Sequence, residues 1–122
     1  MTLLARIVAQ TSARRELLQA LLGWVATVRR ESGVVAASVA EDVEAPVVFH
    51  LTAAWGSTAA FEAHVRSDAF GILLGAFGVL AESVRISVDR SADEYGRDAL
   101  PAIRRLRDTG ESRRRAETEE MK

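Results

Sequence analysis

No cysteine occurs among the 122 residues. That excludes a disulfide framework, thiolate zinc sites and thiol catalysis together, and it suits a reducing compartment. Proline is nearly absent, with Pro46 and Pro101 alone, so few elements lose a backbone N–H. Lysine is scarcer still. Of the 16 basic residues 15 are arginine, which with heavy Ala and Val usage is expected of a GC-rich bacterial genome. Net charge is −1, so no global field draws in nucleic acid or an anionic membrane. The start, MTLLARIVAQ, has no basic stretch ahead of a long apolar one. No apolar run reaches the roughly 20 residues of a bilayer span. The sequence reads as a soluble, cytoplasmic protein.

What is present is unevenly spread. Residues 1–90 carry 8 basic and 9 acidic residues and nearly all the aliphatic mass, whereas residues 91–122 carry 8 and 8. The first part is expected to be the domain, and the second a charged C-terminal extension. A chain of this length buries roughly 60–70% of the surface it exposes when unfolded, so one hydrophobic core suffices.

Within residues 1–90 the hydrophobic period switches repeatedly. Leu3 to Ala9 reads as a strand. From Ala13 to Glu31 the pattern is helical: Leu17, Leu18, Leu21, Val25 and Val28 form one stripe, with Ser12 as N-cap and Gly33 as a left-handed stop. Val34 to Ala40 and Val47 to Trp55 read as a hairpin across the polar turn 41–46. Ser57 caps a second helix that carries Phe61, His64 and Val65 on one face. That helix is interrupted at Ser67-Asp68, where a new cap is available, and resumes through Phe70, Leu73, Leu74, Phe77 and Leu80. Gly71, Gly75 and Gly78 weaken it by up to ~1 kcal/mol each relative to Ala, and such spacing usually admits another backbone. Val84, Ile86 and Val88 alternate as the last strand.

The order β-α-β-β-α-β predicts an α+β, ferredoxin-like domain: a four-stranded antiparallel sheet with helices on one face. The other face would then be bare. Val48, His50, Thr52 and Ala54 on the third strand, and Leu4 and Val8 on the first, are too apolar for a broad wet surface. Two sheets packed face to face as a C2 homodimer resolve this.

The segment from Ala53 to Phe70 contains Trp55, Ser57, Ala60, His64, Ser67 and Phe70 in the pattern W-x-S-x-x-A-x-x-x-H-x-x-S-x-x-F. This resembles the antibiotic biosynthesis monooxygenase family, and Glu31-Ser32-Gly33 is similar to that family's E-P-G turn after the first helix. The resemblance covers about residues 2–90 and implies a dimeric α+β barrel. Among such proteins are cofactor-independent oxygenases of anthrone- or quinol-type aromatics, haem-degrading enzymes, signal-processing proteins and members without known chemistry. Ala53 stands where many members carry Glu. Leu74 stands where haem-degrading members place their iron ligand, and the first strand lacks their Asn.

Beyond that pattern there is no nucleotide loop, HExxH, GxSxG or useful carboxylate pair. With two histidines a metal site is not expected, and neither is a haem or flavin cofactor. Trp55 is either a core wall or an indole donor that orients a substrate. His64 is either a buried, hydrogen-bonded histidine or a general base toward a phenolic hydroxyl, for which a pKa of about 6.5 is suited. A pocket for a small aromatic ligand is expected between sheet and helices, lined by Phe61, Phe70, Leu74 and Phe77 beside Trp55 and His64. The same residues would equally fill a core. His50 is expected at the dimer interface, and Arg85 is read as an interface or surface arginine unless it clamps a substrate carboxylate. In the extension, Tyr95, Ile103 and Leu106 predict that residues 91–108 dock, while 110–122, without apolar residues to hold them, should be mobile. The leading function is a cofactor-independent monooxygenase of a polyphenolic, anthrone- or quinol-like aromatic in secondary metabolism. A non-catalytic ligand-binding or interaction module is the alternative, and an isomerase or cyclase on the same fold is the third.

Overall fold

The computed structural model describes residues 1–89, 101 and 103–108. The expected mobility of residues 110–122 and the docking of Tyr95 lie outside the described residues. The elements are β1 (Thr2–Ala9), α1 (Arg14–Val28), β2 (Val34–Glu41), β3 (Val48–Trp55), α2 (Thr58–Val65), α3 (Asp68–Leu80) and β4 (Ala81–Asp89). The sheet runs β2-β3-β1-β4, with every neighbouring pair antiparallel. This is the ferredoxin-like α+β arrangement, with the helices on one face.

Alternation sets that face. Leu3, Ala5, Ile7 and Ala9 of β1 and Phe49, Leu51, Ala53 and Trp55 of β3 are all buried, because successive side chains leave a strand on opposite sides. Leu17, Leu21, Trp24, Val25 and Val28 of α1 meet them, as do Phe61 and Val65 of α2 and Phe70, Leu73 and Phe77 of α3. Arg14 ties the start of α1 to the hairpin by donating to the Pro46 carbonyl and to Glu41.

Two local expectations need correction, those for Ser12 and for the α3 glycines, while the break at Ser67-Asp68 is as expected. Ser12 does not cap α1, since residues 11–13 form a 3-10 turn first and the helix starts at Arg14 without a side-chain cap. The interruption after Val65 yields two helices bent by 57°, each with its own serine cap: Ser57 accepts from the Ala60 N–H and Ser67 from the Phe70 N–H. Among the described residues no second backbone approaches the α3 glycines. A Cβ on Gly75 or Gly78 would meet nothing within 4 Å, whereas one on Gly71 would lie 2.6 Å from the Arg107 guanidinium.

That arginine belongs to residues 103–108, which are helical. Ile103 is buried in the core and Leu106 packs against it. Arg107 donates to the carbonyls of Val65 and Ser67 at 2.6 and 3.0 Å; the first is an acceptor that the end of α2 leaves over, and the second also accepts from the Gly71 N–H at the start of α3. Among the described residues no single helix is long and apolar enough to cross a membrane.

On the open face the register sets out cross-strand rows. Ala40, His50, Arg6 and Arg85 lie side by side, and Ser38, Thr52, Leu4 and Ser87 form the next row. The centre of this face is therefore more polar than the alternation of β3 alone suggested.

Candidate functional site

Gly33 assembles the site. It has φ +85°, a conformation open to glycine at little cost, and a Cβ there would lie 2.7 Å from the Ala60 side chain. The turn after α1 can therefore press against α2. Its carbonyl accepts from the Gly56 N–H at 2.8 Å, holding the two connections together. Glu31, just before this turn, is thereby brought to His64 of α2, and Trp24 of α1 reaches the same ring.

His64 is 2% exposed, and it is the one buried polar or charged residue among those described. Its Nδ1 lies 2.7 Å from Glu31 Oε2 and 3.0 Å from Oε1. Its Nε2 lies 3.2 Å from Trp24 Nε1. An indole nitrogen can only donate, so Nε2 must accept and the imidazole proton sits on Nδ1, donated to the carboxylate. Both ring nitrogens are engaged.

Around this pair the rings close tightly. Trp24, Trp55 and Phe70 each place a centroid 5.3 Å from that of His64, the first and last edge-on and Trp55 tilted by 31°. Phe61 stands edge-on to Trp55. Burial holds His64 below the ordinary histidine range; Glu31 opposes the shift and Arg107 reinforces it. The imidazole is thus neutral near pH 7, because desolvation outweighs the attraction of one carboxylate. Trp55 Nε1 is the one buried side-chain nitrogen or oxygen among the described residues with no hydrogen-bond partner. Such an unmatched donor costs about 1–3 kcal/mol.

The residues expected to line one pocket do not act together. Phe61 and Phe70 pack directly on the histidine cluster as core. Leu74 and Phe77 line a separate cavity of about 200 Å³ with Ala81, Val84 and Arg104. A groove of about 450 Å³ opens between α1 and α3, lined by Ala20, Gly23, Trp24, Thr27, Ile72 and Ala76, among others. His50 lies on the open sheet face, where its Nε2 is 2.9 Å from Asp42 Oδ2. Among the described residues no group of three or more His, Asp or Glu side chains is placed to hold a metal, and Leu74 offers no ligand to a haem iron.

Trp24 and Glu31 are the residues that sequence reasoning missed. Trp24 had a signal, since it lies three residues after Leu21 and four before Val28, in phase with the α1 stripe. Glu31 stood out only as part of a turn. Its partner is 33 positions away, a separation that no local pattern encodes.

Residues 1–71, more than half of the chain, match the family model described as antibiotic biosynthesis monooxygenase. No curated protein matches. Among solved structures, a Pseudomonas aeruginosa protein is 27% identical with a TM-score of 0.66, covering 75% of this chain and 93% of its own. A Deinococcus radiodurans protein, provisionally named an antibiotic biosynthesis monooxygenase, is 21% identical with a TM-score of 0.70 over the same shares, 75% and 93%. A Mycobacterium tuberculosis protein is 19% identical with a TM-score of 0.64, covering 74% and 94%; these last two speak for the fold alone. The chain belongs to the antibiotic biosynthesis monooxygenase family.

Proposed function

We propose that this protein is a cofactor-independent monooxygenase of a quinol- or anthrone-like polyphenol, acting in the cytoplasm as a homodimer closed through its open sheet faces. The observation that carries the reading is the Glu31–His64 pair, a neutral imidazole backed by a carboxylate inside an aromatic enclosure. A base of this kind takes a phenolic proton on Nε2, and Glu31 stabilises the imidazolium that forms. The resulting electron-rich anion passes an electron to dioxygen. The two radicals then combine at carbon to a peroxide, which loses water to leave the new carbonyl. Nε2 returns its proton to the peroxide, and dioxygen accepts all four electrons, one of its oxygen atoms entering the carbonyl and the other leaving as water. The unmatched Trp55 N–H is a donor suited to a developing oxyanion.

A second reading, a non-catalytic ligand-binding module, is favoured by one feature: both nitrogens of His64 are already bonded. Oxygen uptake with a panel of anthrones and hydroquinones separates the two. Turnover that His64→Ala lowers by about 10²–10⁴, the usual range for losing a general base, supports the oxygenase. No uptake above the uncatalysed rate with any of them, or turnover untouched by His64→Ala, overturns it.

A further inference from the structure

Trp24 has two faces in this structure. Its indole N–H occupies the acceptor nitrogen of His64, at 3.2 Å. The same side chain, 5% exposed, forms part of the wall of the α1–α3 groove. It is therefore the partition between an outward-opening apolar space and the nitrogen that a base must have free. The remaining lining residues are Ala20, Gly23, Thr27, Ala69, Ile72, Leu73 and Ala76. None is charged, and the Thr27 hydroxyl already donates to the Gly23 carbonyl.

The hydrogen-bond chemistry forces a choice. An indole cannot accept, and an imidazolium cannot accept either. Once His64 has taken a proton on Nε2, two N–H groups would face each other across 3.2 Å, so the indole must leave for His64 to work as a base. Around the ring the other charged groups are Glu31, from the turn after α1, and Arg107, from residues 103–108. Neither can substitute for an acceptor at that position.

We propose that Trp24 is a shutter and that the α1–α3 groove is the binding site for an uncharged, planar aromatic alcohol, whose hydroxyl displaces the indole N–H from His64 Nε2. The volume of about 450 Å³ lies within the usual range for small-molecule sites, which runs from roughly 300 to 1,000 Å³. The uncharged wall selects against anions and cations, and the one polar atom behind the partition selects for a hydroxyl donor. On arrival the O–H takes the place of the N–H, and its proton passes to Nε2 as the substrate oxyanion forms. The Nδ1 proton stays on the ring, hydrogen-bonded to Glu31. This inference rests on His64 acting as the base.

The probe is 1-naphthol, followed by calorimetry and by the nitrogen resonances of ¹⁵N-histidine-labelled protein. In the wild type its binding should shift the His64 Nε2 signal. Trp24→Phe keeps the ring but has no N–H to displace, so it should bind the probe roughly three- to tenfold more tightly, the equivalent of one ordinary hydrogen bond. Ala76→Trp fills the groove and should abolish binding. Naphthalene, lacking the hydroxyl, should leave the Nε2 signal in place. Equal or weaker binding by Trp24→Phe, or binding that survives Ala76→Trp, overturns the shutter. Naphthol that shifts Nε2 without any oxygen uptake across the anthrone and hydroquinone panel overturns the oxygenase reading and leaves the groove standing. Oxygen uptake that survives Ala76→Trp does the reverse.

Discussion

The protein contains two histidines, each bonded to one carboxylate, on opposite sides of a single sheet. His64 and Glu31 meet at 2.7 Å with the imidazole 1% exposed, and His50 and Asp42 meet at 2.9 Å with the imidazole 44% exposed. The contacts are nearly the same; the surroundings are not. Behind the helices, desolvation dominates and the histidine is held neutral despite its carboxylate. On the open face the resolved shift falls on the acid: the hydrogen bond from His50 comes first and the Glu44 N–H second in holding the Asp42 carboxyl below the usual aspartate range. A hydrogen bond of given length is therefore no guide to charge. Burial decides which partner adapts.

Removing each ring in turn should give the largest difference between the two environments. His64→Ala empties a buried site and strands the Trp24 N–H, and is expected to cost about 3 kcal/mol in urea unfolding. His50→Ala, at a ring 44% exposed in the single subunit, should cost under about 1 kcal/mol of subunit stability. Equal losses would mean that the two environments differ less than their exposure implies.

A pH series sharpens the same contrast. The folded value of His64 lies below its unfolded value of 6.5, so beneath about pH 6.5 the unfolded chain takes up a proton that the folded chain refuses. Stability should be flat in this respect above pH 6.5 and fall as the pH drops toward the lower folded value. His64→Gln should remove that slope, as measured by urea midpoints at pH 7.5 and 5.5. If the slope persists in the variant, another group is responsible. Asp42 acts in a different window. Its contribution is complete above the unfolded aspartate value of 3.8 and is lost as the pH falls through the lower folded one.

The smallest effect is expected from Asp42→Asn. The amide oxygen still accepts from the Glu44 and Ala45 N–H groups, as Oδ1 does now, so the turn survives while the charge and the acceptor facing His50 Nε2 are lost. The urea midpoint at pH 7 should move less than for His50→Ala. A larger drop would show that the charge, rather than the turn geometry, holds this hairpin.

Much of the architecture was legible because it is written in short periods. Alternation on β3 placed Phe49, Leu51, Ala53 and Trp55 toward the helices, and the serines at 57 and 67 marked both helix starts. The site was legible only in part. His64 could be assigned to the inner face of α2 because Phe61 and Val65 share it, but Trp24 and Glu31 meet it through the close approach that Gly33 permits. The role of Gly71 was hidden for the same reason, since the group that fills its missing side chain is Arg107. Ser12 misled because a capping residue type does not fix where a helix begins when a 3-10 turn precedes it.

The place of β1 has a consequence for how the protein is made. Thr2 pairs with Ala54 on one side and with Asp89 on the other, so the strand at the middle of the sheet leaves the ribosome before either neighbour exists. Until β3 emerges, β1 presents two bare hydrogen-bonding edges, and until β4 follows it still presents one, which invites pairing with other nascent chains. Closing contacts so distant along the chain is slow. The protein should therefore depend more on chaperones during synthesis than a helical bundle of the same size.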